Sequence, residues 1–264
     1  MMKTVTVVSM KGGAGKTTMM MMLASAMLAR GGRVHMMDVD TDRQLLKWKM
    51  ASAEANREGV PAPEWPAEPT MGVAPPSISD LYDELNAVEE SGVDLTIIDT
   101  RGGACSDTEE LALAADIVLV PAMVSHLFFS LTLETVDWLD AMTATVADGE
   151  PAPLYRTVLM NIPSGIAAVA FASSEDDRIR ALGGIRPTER ELVRDALGLP
   201  NLPTPVKNSQ VFKEMPGFGP LSLTAATYGK ANRAMKAGHH QTALNVCESL
   251  LEDVLDTVDR ANAS

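Results

Sequence analysis

Short apolar runs alternate with amphipathic segments along most of the chain. The apolar runs predict β-strands at Thr4–Ser9, Arg33–Asp38, Leu95–Asp99, Ile117–Pro121, Tyr155–Asn161 and about Leu202–Pro205. The segments between them predict helices at Lys16–Arg30, Arg43–Ala55, Ile78–Ser91, Ser106–Ala115, Ser130–Val146, Thr188–Leu197, Gln210–Met215, Thr224–Lys236 and Gln241–Val258. This alternation is typical of a doubly wound α/β fold, in which helices cover both faces of a single, mainly parallel sheet.

A single domain is predicted over residues 1–264. Residues 61–76 are rich in proline, which removes backbone donors and interrupts helices and strands, so this stretch is predicted to be a surface loop without regular structure. Predicted strands lie on both sides of it, which argues against a domain boundary there. The C-terminal helices, 224–260, carry an apolar stripe that is expected to pack on the body of the domain.

Composition restricts the class of protein. The two cysteines, Cys105 and Cys247, are too few for a disulfide framework. No apolar run approaches the roughly 18 residues of a membrane span, and no signal peptide is recognisable. These features predict a cytoplasmic protein without a membrane partner. The formal net charge of −13 argues against a dedicated strong DNA-binding protein.

The candidate chemistry begins directly after the first predicted strand, where residues 9–18 read Ser-Met-Lys-Gly-Gly-Ala-Gly-Lys-Thr-Thr. The glycines let backbone N–H groups turn toward an anion, and the helix predicted from Lys16 adds its N-terminal dipole. A strand, a glycine-rich turn, Gly-Lys-Thr and a helix in this order predict a nucleotide phosphate loop. Its members are Lys11, Gly12, Gly13, Ala14, Gly15, Lys16, Thr17 and Thr18.

Within this phosphate loop, Lys16 is expected to contact the β- and γ-phosphates, and the Thr17 hydroxyl is expected to ligate Mg²⁺. Thr18 is expected to contact the α-phosphate or to cap the helix. The loop departs from the ordinary pattern, because Met10 stands where a glycine is usual and Lys11 follows it. The loop therefore carries two lysines.

Acidic residues lie at the ends of two predicted strands. Asp38 ends the second predicted strand, Asp40 follows it, and Asp99 ends the third. An enzyme that hydrolyses a nucleotide bound at such a phosphate loop needs carboxylates that organise Mg²⁺ and a group that positions the attacking water. The carboxyl ends of neighbouring strands suit both roles. Asp99 is expected to hold Mg²⁺ through water. The alternative for Asp38 and Asp40 is a pair of capping acids.

Basic residues are concentrated between Arg186 and His240, where eight lysines and arginines oppose four acids. Such a patch is sufficient for electrostatic attraction to the phosphate backbone of DNA. Scattered solvated charges are the alternative. The candidates for DNA contacts are Arg190, Arg194, Lys207, Lys213, Lys230, Arg233 and Lys236.

Lys11–Thr18 matches, without a gap, the pattern K-G-G-x-G-K-T-T of the ParA/MinD branch of P-loop ATPases, which includes the nitrogenase iron protein. The chain resembles this family, whose members form a sandwich dimer. The resemblance implies that Lys11 reaches the nucleotide of the partner subunit in an ATP-dependent homodimer. It also implies that Asp40 orients the hydrolytic water, that Asp38 supports the metal site and that Lys11, Lys16 and Asp40 are the catalytic set.

Further segments carry the resemblance along the rest of the chain. Asp99 ends a strand as the Walker B acid does, and the switch II region that follows has Arg101, Gly102 and Gly103 where the family usually has prolines. By resemblance, Asn161 reads the adenine, and Pro205 and Val206 belong to a loop that closes over the base.

The resemblance is greatest to ParA-like proteins of plasmid partition and of conjugative or T-DNA transfer. It implies an ATP- and Mg²⁺-dependent ATPase switch with weak, partner-stimulated turnover, which dimerises with ATP and binds DNA non-specifically at the nucleoid. A centromere-binding or cargo adaptor protein would stimulate hydrolysis. The alternative is positioning of a protein cargo or a conjugative transfer complex, and a MinD-like membrane-cycling ATPase ranks lower.

Overall fold

A six-stranded parallel sheet forms the centre of the computed structural model, which describes residues 1–39, 43–57, 70–73, 78–103, 106–146, 152–172, 174–231 and 233–263. The strands are β1 (Lys3–Val7), β2 (Val34–Asp38), β3 (Thr70–Val73), β4 (Leu95–Asp99), β5 (Ile117–Met123) and β6 (Tyr155–Met160). Their order is β3-β2-β4-β1-β5-β6, and every neighbouring pair is parallel. The predicted doubly wound α/β fold is confirmed.

Helices connect and cover the strands. They are α1 (Lys16–Ala29), α2 (Gln44–Arg57), α3 (Ile78–Glu90), α4 (Ser106–Leu113), α5 (His126–Thr145), α6 (Ala167–Ala170), α7 (Glu175–Gly183), α8 (Pro187–Gly198), α9 (Gln210–Glu214), α10 (Leu221–Lys230) and α11 (Ala234–Asn262), with a short 3-10 helix at Met215–Gly217. Among the described residues, none of these helices is both long enough and apolar enough to cross a membrane.

Alternate residues of each strand face opposite helix layers, because successive side chains of a strand point to opposite faces. Met36 and Ile97 pack in the cluster that contains α1 and α11. Their neighbours Met37 and Ile98 pack against α3 instead, in the cluster that contains Leu81. The sheet is therefore buried on both faces, as its continuous apolar strands require.

Helix α1 is enclosed on all sides. Its four consecutive methionines, 19–22, are each at most 2% exposed. The sheet covers one side of α1, and α10 and α11 cover the other, where Leu221 donates its N–H to the Ser25 hydroxyl at 3.1 Å. Cys247 of α11 lies in the same core, and burial raises the pKa of its thiol, which makes the thiolate inaccessible near neutral pH.

The predicted strand at Leu202–Pro205 is wrong. This segment and the residues next to it meet β6 through separated hydrogen bonds, among them Leu202 N–H to Thr157 O at 2.8 Å and Val206 N–H to Leu159 O at 2.7 Å. Pro203 lies between these bonds and Pro205 next to the second, and a proline has no N–H to donate to a ladder. The chain therefore runs beside β6 without forming a strand.

The prediction that 61–76 lacks regular structure is wrong at β3, which pairs with β2 along Thr70–Val73. No proline lies within these four residues, and their pairing partner is distant in sequence. The predicted helix Thr224–Lys236 is also corrected: α10 ends at Lys230 and α11 begins at Ala234, so the C-terminal helices span 221–262. Helices α6 and α7 were not predicted, and α5 begins at His126 instead of Ser130.

Candidate nucleotide-binding site

The phosphate loop connects β1 to α1 in the middle of the sheet. Gly13 and Gly15 adopt φ values of +84° and +98°, in the left-handed region that favours glycine. Gly15 is the N-cap of α1, so the free N–H groups of the first helical turn face the loop. Lys16 opens the helix and is only 7% exposed, whereas Lys11 is exposed. The two lysines therefore occupy different environments.

The entry to the phosphate loop is held by two hydroxyl side chains. The Ser9 hydroxyl donates to Lys11 O at 3.0 Å. Met10, at the position of the usual glycine, donates its N–H to the Thr135 hydroxyl of α5 at 3.1 Å, and that hydroxyl donates to Leu131 O at 2.7 Å. Sequence reasoning missed Thr135, because it lies 125 residues away from Met10 and no motif marks it.

Three oxygen-bearing side chains were predicted to hold Mg²⁺: Asp38 and Asp99 lie at the carboxyl ends of the adjacent strands β2 and β4, and Thr17 lies in the first turn of α1. The Thr17 hydroxyl donates to Asp99 Oδ2 at 3.2 Å, and Asp38 and Asp99 are paired residues in the register of β2 and β4. Hydroxyl and carboxylate oxygens fit Mg²⁺. No cluster of three or more His, Cys, Asp or Glu suited to a metal occurs among the described residues, so nucleotide phosphates would have to complete such a site.

Asp38 has a second, structural role. Its Oδ2 accepts the backbone N–H groups of Leu45, at 3.0 Å, and Leu46, at 3.5 Å, in the first turn of α2. One oxygen of the Asp38 carboxylate therefore caps α2, as the capping alternative predicted. The positive N-terminal end of the helix dipole favours a carboxylate at this place. Asp40 lies outside the described residues; the chain leaves β2 at Val39, whose N–H donates to Asp99 O at 3.0 Å.

The switch II region rests on the phosphate loop. The Thr100 hydroxyl donates to Val7 O at 2.7 Å, and Gly103 donates its N–H to Ser9 O at 3.1 Å. A Cβ on Gly102 would lie 3.1 Å from the backbone N of Gly12. Gly102 thus permits a backbone contact that a larger residue would prevent, while Arg101 is exposed to solvent.

We expect the Gly102→Ala variant to be less stable than the wild type by about 1–3 kcal/mol, because its neighbours are backbone atoms that cannot rotate away. Chemical denaturation measures the difference. Gly229→Ala is the matched control, since a Cβ there meets nothing within 4 Å. Equal stability of the Gly102→Ala variant and the wild type would show that switch II does not depend on this contact.

A cavity of about 200 Å³ adjoins the phosphate loop. It brings Gly13, Gly15 and Thr18 together with Asn161 and Val206, which are more than 140 residues further along the chain. Asn161 follows β6 with φ +53°, which suits asparagine better than most residues. Pro205 is buried beside Val206 but does not line the cavity.

The seven basic candidates for DNA contacts do not form one surface in the structure. Lys207 and Lys213 line the cavity beside the phosphate loop. Arg190 and Arg194 line a separate cavity between α7 and α8. The remaining three surround the junction of α10 and α11, namely Lys230, Arg233 and Lys236. Their side chains are exposed, with the Lys236 ammonium 5.5 Å from the centre of the Tyr228 ring.

The strand order and the phosphate loop together define the P-loop fold of MinD and ParA proteins, the fold that the resemblance of Lys11–Thr18 predicts. The family model described as VirC1 protein matches residues 2–170, more than half of the chain. The chain therefore belongs to the VirC1 family. It is 26% identical to protein virC1 of Rhizobium radiobacter over 228 residues, which cover 86% of each protein.

Solved structures show the same fold. MinD cell division protein of Aquifex aeolicus superposes with a TM-score of 0.59 at 15% identity, over 95% of this chain and 97% of that protein. The structure of pNOB8 ParA bound to nonspecific DNA gives a TM-score of 0.55 at 14% identity, over 98% of this chain and 99% of that one. At such low identity these likenesses establish the architecture alone.

Proposed function

We propose that this protein is an ATP-dependent ATPase switch that dimerises with ATP, binds DNA without sequence preference, and drives the partition or transfer of DNA. The observation that carries the proposal is the arrangement at the centre of the sheet. The buried Lys16 opens α1, and the Thr17 hydroxyl meets the buried Asp99 beside a cavity lined by Asn161. This is an arrangement suited to a nucleoside triphosphate.

The chain's own residues have separate tasks in ATP hydrolysis. The N–H groups of the phosphate loop and Lys16 bind the phosphates, and Asn161 and Val206 hold the base. Thr17, Asp99 and Asp38 would hold Mg²⁺, which neutralises phosphate charge when it is bound. Asp40 orients the attacking water. Gly102 and Gly103 let switch II follow the γ-phosphate, which gives the protein two conformational states.

Lys207 and Lys213 are reassigned within this proposal. Both were candidates for DNA contacts, yet both line the cavity that adjoins the phosphate loop. A lysine there can interact with nucleotide phosphate or ribose oxygens, and a nucleotide in the cavity would separate it from DNA. The two lysines therefore support nucleotide binding rather than DNA binding.

In the proposed dimer, Lys11 contacts the nucleotide of the second subunit. Its side chain is exposed at the start of the phosphate loop, while Lys16 in the same loop is buried. An exposed lysine can extend to the nucleotide of a second subunit and supply positive charge there, as an arginine finger does in related enzymes. ATP would then join the two subunits, and its hydrolysis would release them.

The DNA contacts of the proposal lie at the junction of α10 and α11. Lys230, Arg233 and Lys236 are exposed there within a short stretch of chain. A local basic patch on an otherwise acidic protein is sufficient for backbone contacts. The structure of pNOB8 ParA bound to nonspecific DNA offers a precedent within the same architecture.

DNA binding by the full-length protein tests this proposal. We expect fluorescence anisotropy to detect binding of a labelled duplex with a non-hydrolysable ATP analogue but not with ADP. The double variant Lys230→Glu/Arg233→Glu should bind at least about tenfold more weakly, and its salt dependence, as log K against log salt, should decrease by about two slope units.

The control for this experiment is Arg260→Glu, a charge reversal at the far end of α11, about 40 Å from Arg233 at the helical rise per residue. It should leave DNA affinity unchanged. Absence of DNA binding, or binding that does not depend on salt, would contradict the DNA half of the proposal and would favour positioning of a protein cargo. Loss of affinity in both variants would show a non-specific effect of net charge.

A further inference from the structure

A cavity of about 540 Å³ lies between α7 and α8, apart from the phosphate loop. Three arginines line it: Arg178 of α7, and Arg190 and Arg194 of α8. Glu175 is the one acidic residue among its described lining residues. The cavity thus has a surplus of two positive charges in a protein whose net charge is −13. It attracts a negatively charged group.

The three arginines are held differently. Arg190 donates to Ile185 O and Gly183 O, each at 3.0 Å, so its guanidinium is fixed in place by backbone carbonyls. Arg178 approaches Glu175 at 3.4 Å through Nη1, but its Nε is buried and has no hydrogen-bond partner among the described residues. Arg194 is exposed. The exposed parts of the Arg178 and Arg194 side chains can form charge-assisted hydrogen bonds with carboxylates of a ligand.

Apolar side chains complete the cavity. Leu182 is 9% exposed, whereas Ile179, one turn earlier on α7, is 59% exposed. Both line the cavity, so the apolar surface continues from the interior to the rim. A ligand that fits must present apolar surface as well as negative charge. The volume also greatly exceeds that of a single carboxylate, which favours a segment of several residues.

Duplex DNA fits this cavity poorly. The apolar side chains of Ile179 and Leu182 line it together with the arginines. A phosphate backbone laid across the two helices could not fill a concave site that is partly apolar. Arg190 and Arg194 are therefore better explained by a ligand that enters the cavity than by the DNA contacts expected from the sequence.

We propose that this cavity binds an acidic segment of a partner protein, with carboxylates at Arg178 and Arg194 and an apolar side chain against Ile179 and Leu182. Arginines and apolar side chains that become buried together at an interface are typical energetic centres of protein interfaces. The site does not depend on the nucleotide, so the proposal stands independently of the proposed ATPase function.

Fluorescence anisotropy of the full-length protein tests this with a labelled synthetic peptide of glutamate and leucine at amphipathic helical spacing. We expect saturable binding that falls at least about tenfold in Arg194→Glu, because a charge-assisted contact becomes a repulsion. Arg180→Glu is the matched control on α7: Arg180 does not line the cavity, and its side chain is 79% exposed and 3.0 Å from Asp177. This control should bind as the wild type does.

Two altered peptides define the ligand chemistry. The peptide with glutamine in place of glutamate, and the peptide with serine in place of leucine, should each bind at least about tenfold more weakly. Thermal unfolding followed by circular dichroism establishes that the variants are folded. The proposal is overturned if the wild type shows no saturable peptide binding, if Arg194→Glu binds equally well, or if labelled duplex DNA and not the peptide loses affinity in Arg194→Glu.

Discussion

Replacement of Lys16 by alanine is expected to weaken ATP binding at least about 100-fold. Lys16 is only 7% exposed and stands at the first position of α1, where the phosphates are expected. Hydrogen bonds between charged groups contribute about 1.5–3 kcal/mol each, and this lysine is proposed to contact two phosphates. Isothermal titration calorimetry with ATP measures the loss.

The matched control is Lys11→Ala in the same phosphate loop. Because Lys11 is exposed, its removal should leave ATP affinity of the monomer within about threefold of the wild type, a difference below 1 kcal/mol. Analytical ultracentrifugation with ATP should instead show loss of the dimer. Unchanged ATP affinity in Lys16→Ala would refute the assignment of the phosphate loop. A dimer that persists in Lys11→Ala would refute only the proposal that Lys11 binds the nucleotide of the second subunit.

Replacement of Asp99 by asparagine is expected to reduce Mg²⁺-dependent ATP hydrolysis at least about 100-fold, which corresponds to about 2.7 kcal/mol. The side chain is 1% exposed and receives the Thr17 hydroxyl at 3.2 Å. An amide keeps the size and can still accept this hydrogen bond, so the fold should survive. It removes the charge that would hold the metal. Phosphate release at varied Mg²⁺ concentration measures the effect.

The Asp40→Ala variant separates the proposed role of Asp40, which is to orient the attacking water, from the proposed role of Asp99, which is to hold Mg²⁺. We expect this variant to retain Mg²⁺-dependent ATP binding and to accumulate as an ATP-bound dimer with little turnover. Asp99→Asn should lose the dependence of ATP affinity on Mg²⁺ as well. If Asp99→Asn hydrolysed ATP at the wild-type rate, Asp99 would have no part in holding the metal, and normal turnover in Asp40→Ala would remove its proposed role.

The differences between prediction and structure have identifiable causes. Strand β3 follows a proline-rich stretch, and its pairing with β2 depends on residues more than 30 positions away. The segment at Leu202–Pro205 has the apolar residues of a strand, but its prolines lack the donors that a ladder needs. In both places the local sequence favours one structure, and the hydrogen bonds that are available to the backbone favour the other.

The grouping of the basic residues in space could not be predicted from the sequence either. The sequence between Arg186 and His240 gave no reason to separate its lysines and arginines into groups. The structure places Lys207 and Lys213 in the lining of the cavity beside the phosphate loop, Arg190 and Arg194 in that of a separate cavity, and the others at the α10–α11 junction. A charge acts on what lies near it in space, and that neighbourhood depends on how distant segments pack.

The sequence by itself determined the fold class, the family and the phosphate loop, because these depend on local properties: apolar periodicity, the glycine-rich pattern of Lys11–Thr18 and a helix predicted to start at Lys16. Only the tertiary structure decided that Thr135 holds Met10 and that Gly102 rests on Gly12. Each of these contacts joins segments whose approach is set by strand order and register, and no local pattern records that approach.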